Sequence, residues 1–197
     1  MKHHMRRAFA VSLLAFACSV LPTFFSSALA ASWQLPDLMK LLAETPAGRA
    51  TFVEQKFIGI LDKPVESSGE LSFTAPDQLE KRTLKPRAEA LLLKGDELTL
   101  ERGARSMKMS LQEHPDIAAF VESIRATLAG DQRALERVWK VSLDGAPARW
   151  ALTLTPLTPG FVATIRIDGV RGEVRQIVIE QSDGDRSIMT ISKVVTR

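Results

Sequence analysis

From Ala50 onward the chain alternates apolar and polar residues with a period of two, and only a few residues separate one alternating run from the next. Thr51 to Ile60, Gly69 to Thr74, Gln78 to Leu84, Ala88 to Leu93, Glu97 to Arg102 and Ser106 to Leu111 each read as a strand bounded by Gly, Pro or charged turns. Connections this short leave no room for a crossover, so neighbouring strands are antiparallel. Four or more further strands follow Trp139, joined by turns containing Asp144-Gly145, Asp168-Gly169 and Asp183-Gly184. One face of these strands carries Trp150, Leu152, Leu154, Ile165, Ile167, Ile177 and Ile179. The other carries Thr153, Thr164, Arg166, Gln176 and Glu180. About ten or eleven strands therefore form a sheet that is apolar on one side and wet on the other. A flat sheet that wide curls, and its apolar side needs a cover.

The cover has to come from the helical segments. Leu35, Leu38 and Leu42 lie at i, i+3 and i+7 with Leu41 beside them, and Pro36 sits where a helix accepts a residue without an N–H. This helix stops at Thr45-Pro46-Ala47-Gly48. His114-Pro115-Asp116 opens a second helix, in which Ile117, Phe120, Val121, Ile124 and Leu128 form the clearest helical stripe in the chain. Gly130 ends it, and Asp131 caps a shorter helix carrying Leu135, Val138 and Trp139. The expected fold is mainly β, of the α+β class: a strongly curved antiparallel sheet holding helices Pro115 to Ala129 and Asp131 to Trp139 against its concave face.

The first thirty residues have a different character. Lys2, Arg6 and Arg7 precede an apolar run from Ala8 to Val20, and Ala28-Leu29-Ala30 offers small residues to a signal peptidase. A secretory signal over residues 1–30, cleaved after Ala30, leaves one domain over residues 31–197 and places it in a bacterial periplasm. Bulky Phe16 in the box Ala15-Phe16-Ala17 argues against lipid attachment at Cys18, which reads as a discarded signal residue. Of the chain's 26 bases these thirty residues hold three, and of its 23 acids none, so the remainder is formally neutral. The nominal pI of about 9.2 thus reports a leader and gives no reason to expect a nucleic-acid partner. Without Cys18 the domain has no cysteine and relies on its packed core.

Catalytic patterns are scarce. His114 is the only histidine after the leader and reads as a helix-start residue. No HExxH, GxSxG, GxGxxG or Walker pattern occurs, so neither an enzyme nor a metal or other cofactor is expected. Paired carboxylates keep a small envelope hydrolase open as a rival. Lys81, Arg82, Lys85 and Arg87 form the densest basic stretch and fit either an anionic headgroup or partner, or simple solubilisation of outer strands. The apolar set Phe52, Phe57, Phe73, Leu91, Leu93, Met107, Met109, Leu111, Phe120, Ile124 and Trp150, with Ile165 and Ile177 on the same face, also has two readings. It is a plain core, or it lines a sheet–helix gap suited to acyl chains.

Phe52-Val53-Glu54-Gln55, Ser68-Gly69-Glu70-Leu71-Ser72-Phe73 followed by Pro76, then Pro86 and the hairpin Leu91-Leu92-Leu93-Lys94-Gly95-Asp96-Glu97-Leu98 resemble the periplasmic outer-membrane lipoprotein carriers, the LolA-like family. The order of elements agrees over nearly all of the chain after the leader. The resemblance implies an incomplete β-barrel closed by a helical lid, whose cavity takes the acyl chains of a lipoprotein from an inner-membrane ABC exporter and yields them to an outer-membrane receptor. It also implies a monomer, and a basic strand residue that bonds to the lid, here Lys81 or Arg82. Leu79-Glu80-Lys81-Arg82 stands where the family has an aromatic-rich strand, which marks a divergent branch and leaves the cargo open between lipoproteins and another lipid. A lipoprotein sensor of the same architecture is the other binding-module reading.

Overall fold

The computed structural model describes residues 33–194; the leader, its cleavage after Ala30 and Cys18 lie outside the described residues. Helix α1 (Leu35–Ala43) is followed by six strands, β1 (Ala47–Phe57), β2 (Val65–Thr74), β3 (Gln78–Lys85), β4 (Glu89–Lys94), β5 (Glu97–Arg102) and β6 (Arg105–Ser110). One turn of 3-10 helix at Leu111–Glu113 leads into α2 (Pro115–Ala129) and α3 (Gln132–Val138). Five more strands complete the fold: β7 (Trp139–Ala146), β8 (Arg149–Pro156), β9 (Val162–Val170), β10 (Glu173–Gln181) and β11 (Arg186–Lys193).

All eleven strands form one antiparallel sheet in the order β6-β5-β4-β3-β2-β1-β11-β10-β9-β8-β7. The first and last strands of the sequence runs meet at the centre, where Phe52 of β1 pairs with Ile191 of β11. The free edges, β6 and β7, do not pair, so the sheet is an open barrel. The chain between those two edges is the segment that forms α2 and α3, and the cover of the barrel is therefore its own edge-to-edge connection.

Local chemistry accounts for the helix ends. The Asp37 carboxylate accepts the Gln34 N–H at 2.9 Å at the start of α1. Asp131 accepts from the Ala134 N–H at 3.0 Å to start α3. Gly130 closes α2 with φ of 70°, and a Cβ there would stand 2.2 Å from the Met39 carbonyl oxygen, so glycine also lets α2 approach α1.

Several boundaries differ from those read in the sequence. β2 begins at Val65, four residues before Gly69, because Gly69 is an in-strand packing glycine: a Cβ there would lie 1.9 Å from the Arg82 carbonyl oxygen of β3. Asp144-Gly145 and Asp168-Gly169 lie inside β7 and β9, with the reversals at Pro147-Ala148 and Arg171-Gly172. Asp183-Gly184 does form its turn, with Gly184 at φ of 94°. Trp139 opens β7 instead of closing α3.

The interior is divided in two. A larger core sets Leu38 and Leu42 of α1 and Leu135 of α3 against Trp150, Leu152, Leu154, Ile165 and Ile167 of β8 and β9. A smaller one joins Leu93 of β4, Leu98 of β5, Leu111 of the 3-10 turn and Val121 of α2. Among the described residues only Phe120 packs against both clusters, from their margins.

Candidate functional site

Helix α2 is laid on the sheet in a way its sequence does not announce. The side chains it buries most are small: Ser123 and Thr127, at 0% and 1% exposure, together with Ala126 and Val121. The two hydroxyls donate to carbonyls of their own helix, Ser123 Oγ to Phe120 and Thr127 Oγ1 to Ser123, each at 2.6 Å, so their burial leaves no polar group unpaired. This small-residue face lets α2 pack on α1 and α3. Phe120, Ile124 and Leu128 of the apolar stripe look instead into a space between helix and sheet and remain partly accessible.

That space is a cavity of about 490 Å³, within the ~300–1,000 Å³ span typical of small-ligand sites. Leu71 and Phe73 of β2, Leu79 of β3, and Leu91 and Leu93 of β4 form one wall. Ile177 and Ile179 of β10 with Met189 and Ile191 of β11 form the other. Phe161, in the β8–β9 loop, closes against Phe120 with ring centroids 6.3 Å apart, edge to face. At the opposite side of α2, Arg125 donates from Nη1 to the Gly95 carbonyl in the β4–β5 turn at 3.0 Å, while its guanidinium pairs with Glu122.

Seven of the residues singled out in the sequence line this cavity: Phe73, Lys81, Leu91, Leu93, Phe120, Ile124 and Ile177. The others lie elsewhere. Trp150 and Ile165, at 1% and 0% exposure, belong to the larger core because β8 and β9 face α1 and α3. Leu111 and Met109 pack in the smaller core. Phe52 is buried beneath the Lys81 ammonium, which stands 5.0 Å from its ring centroid. Phe57 ends β1 under the Arg186 guanidinium. Met107 is 53% exposed, on the edge strand β6.

The lid contact expected of Lys81 or Arg82 is made by neither. Arg82 pairs with Glu80 on its own strand, and Lys81 reaches into the cavity to Glu54 of β1. The helix-to-sheet bond comes instead from the helix, through Arg125 to the Gly95 carbonyl of the β4–β5 turn.

Glu54 is the residue that sequence reasoning passed over. It shares the inward parity of Phe52, two residues before it, and that parity was the available signal. Its side chain is 5% exposed. Lys81 Nζ donates to Oε2 at 2.5 Å and Ser187 Oγ to Oε1 at 2.7 Å. Ser67 Oγ adds a longer bond at 3.3 Å, and Lys56 Nζ lies 3.9 Å away. Burial pushes the Glu54 carboxyl up, but the Lys81 charge, the hydrogen bonds from Lys81 and Ser187 and the Lys56 charge together outweigh it. They hold the group below the usual carboxylate range, hence ionised. Among the described residues no group of three or more His, Cys, Asp or Glu is placed to hold a metal ion.

The profile of the family described as outer membrane lipoprotein carrier protein LolA-like matches residues 26–193. The chain belongs to that family. Among solved structures, this LolA-like chain is similar to a LolA superfamily protein from Nitrosomonas europaea, at 10% identity and a TM-score of 0.46, covering 84% of this chain and 96% of that one. The MucA/MucB complex of Pseudomonas aeruginosa matches at 14% identity and a TM-score of 0.45 over 83% of this chain, which spans 59% of that one. The lipoprotein LppX of Mycobacterium tuberculosis matches at 10% identity and a TM-score of 0.39, covering 83% and 97%. No curated protein matches the sequence.

Proposed function

We propose that this LolA-like protein is a periplasmic carrier that shelters the acyl chains of lipoproteins, or of another lipidated cargo, between α2 and the curved sheet and moves them from the inner to the outer membrane. One observation carries the reading: the most apolar face of α2 is turned toward a cavity, and its most buried face is made of Ser123, Ala126 and Thr127. A helix that only had to complete a core would bury Phe120, Ile124 and Leu128 fully. A carrier keeps them partly accessible for its cargo, because each acyl CH₂ removed from water contributes about 0.8 kcal/mol. The work needs no catalytic group. Export of the chain by its N-terminal leader, an inner-membrane exporter that loads it and an outer-membrane receptor that unloads it belong to the same proposal, and so does action as a monomer.

Native mass spectrometry of protein purified from the cell envelope without detergent tests this directly. Bound lipid or lipoprotein is expected, together with uptake of a fluorescent acyl probe that Ile124→Asp on the helix and Ile179→Asp on the sheet each reduce at least tenfold with strand content unchanged by circular dichroism. A protein that is always empty and takes up no probe would end the carrier reading.

A further inference from the structure

A cavity meant only for hydrocarbon has no use for charge, yet Glu54, Lys56, Lys81 and Ser187 all line this one. A desolvated ion pair is often no more stable than an apolar pair of the same volume, so packing alone does not account for it. The cluster is also unbalanced. Two ammonium groups face one carboxylate, leaving a formal excess of one positive charge in this cluster, while of the other charged residues that line the cavity Glu173 pairs with Lys193 and Glu80 with Arg82. Lys81 spends one of its three donors on Glu54. Lys56 approaches Glu54 only to 3.9 Å, beyond hydrogen-bond reach, and half of its side chain is accessible. Both lysines therefore hold donors available to a further acceptor at the apolar surface.

We propose that the cavity is built for an amphiphile with one anionic oxyacid group, a carboxylate or a phosphate, received by Lys56 and Lys81 while its acyl chain lies along Leu91, Ile124 and Ile179. Glu54 positions Lys81 by bonding it from below, and Ser187 and Ser67 hold the carboxylate in turn. This rests on the carrier reading and narrows its cargo to lipids that bear a negative charge next to the acyl chain.

The test compares each anionic probe with its neutral counterpart at neutral pH and low salt: parinaric acid with its methyl ester, and a fluorescent phosphatidic acid with the diacylglycerol of the same chains. At least a tenfold preference for the anionic member of one pair is expected, and the pair that shows it identifies the group as carboxylate or phosphate. In Lys56→Gln, and in the charge-balanced double variant Glu54→Gln/Lys81→Met, that ratio should fall toward one, with folding verified by circular dichroism. The double variant avoids leaving Glu54 buried without its partner. Equal affinity within both pairs, or a preference that survives in both variants, overturns the anionic site while leaving the acyl cavity standing. Failure to bind any of the four probes removes the carrier reading as well.

Discussion

At the residue scale the architecture depends on a few positions where a side chain is excluded. Gly169 lies opposite Trp150 on the neighbouring strand, and a Cβ there would stand 2.1 Å from the indole Cζ2. The indole cannot move aside, because Nε1 donates to the Arg171 carbonyl at 2.7 Å and the ring is buried in the larger core. Gly169→Ala should therefore destabilise the domain by about 1–3 kcal/mol, the range of overpacking in a well-packed core, measured as a shift of the urea midpoint. A change below about 0.5 kcal/mol, the size of an ordinary surface substitution, would show that the indole can be accommodated elsewhere. Asp168-Gly169 illustrates how a turn dipeptide misleads: in sequence it matches a hairpin signal, and in space the glycine is there for the tryptophan. Glu54 is the opposite case. Its inward parity was readable beside Phe52, but the partners that make a buried carboxylate tolerable lie 27 and 133 residues away, at Lys81 and Ser187.

At the element scale α2 was the best-defined helix in the sequence, and its limits, Pro115 and Ala129, match the Pro start and Gly stop. What the stripe of Ile117, Phe120, Val121, Ile124 and Leu128 did not say is that most of it would meet a cavity. Helical periodicity reports which side chains share a face, and the choice of face to bury belongs to the neighbours, here α1 and α3. Besides the packing of Val121 on Leu93 and Leu98, two contacts hold α2 at its flanks, Phe120 on Phe161 and Arg125 on Gly95. Removing the second by Arg125→Ala should lower stability by about 1 kcal/mol, as for a typical hydrogen bond. It should also speed amide exchange in α2 and in the Gly95-Asp96 turn while leaving β8 to β10 protected, which hydrogen-exchange mass spectrometry resolves by segment. Uniform protection across α2 would mean that its packing on α1, α3 and the smaller core holds the helix without the Arg125 bond.

At the scale of the whole molecule the strand runs before and after the helical insert come together into one sheet through β1 and β11. Its two cores lie on either side of a space that protein atoms do not fill. A ligand bound there contacts both halves and is linked to global stability by mass action: at a hundred times its Kd it should add about 2.7 kcal/mol. For a domain of this size that corresponds to a rise in Tm of roughly 5–10 °C, readable by differential scanning fluorimetry with a saturating acyl ligand. No shift at saturation would mean that the cavity collapses or stays empty in solution.

The sequence by itself determined the elements, the antiparallel pairing of consecutive strands and the existence of an apolar face that helices must cover, because period and caps are local properties; the joining of β1 to β11 came only with the structure. It placed Phe73, Leu91, Leu93 and Ile177 on that face and Phe120 and Ile124 on the stripe of the covering helix. It could not separate them from Trp150 and Ile165, since every inward side chain of a strand has the same parity whether helix, cavity or core lies opposite. Only the tertiary structure decided which inward positions meet a helix and which meet open space, for that depends on how closely α2 can approach. The small residues Ser123, Ala126 and Thr127 bring it near α1 and α3, which leaves Phe120, Ile124 and Leu128 over the cavity.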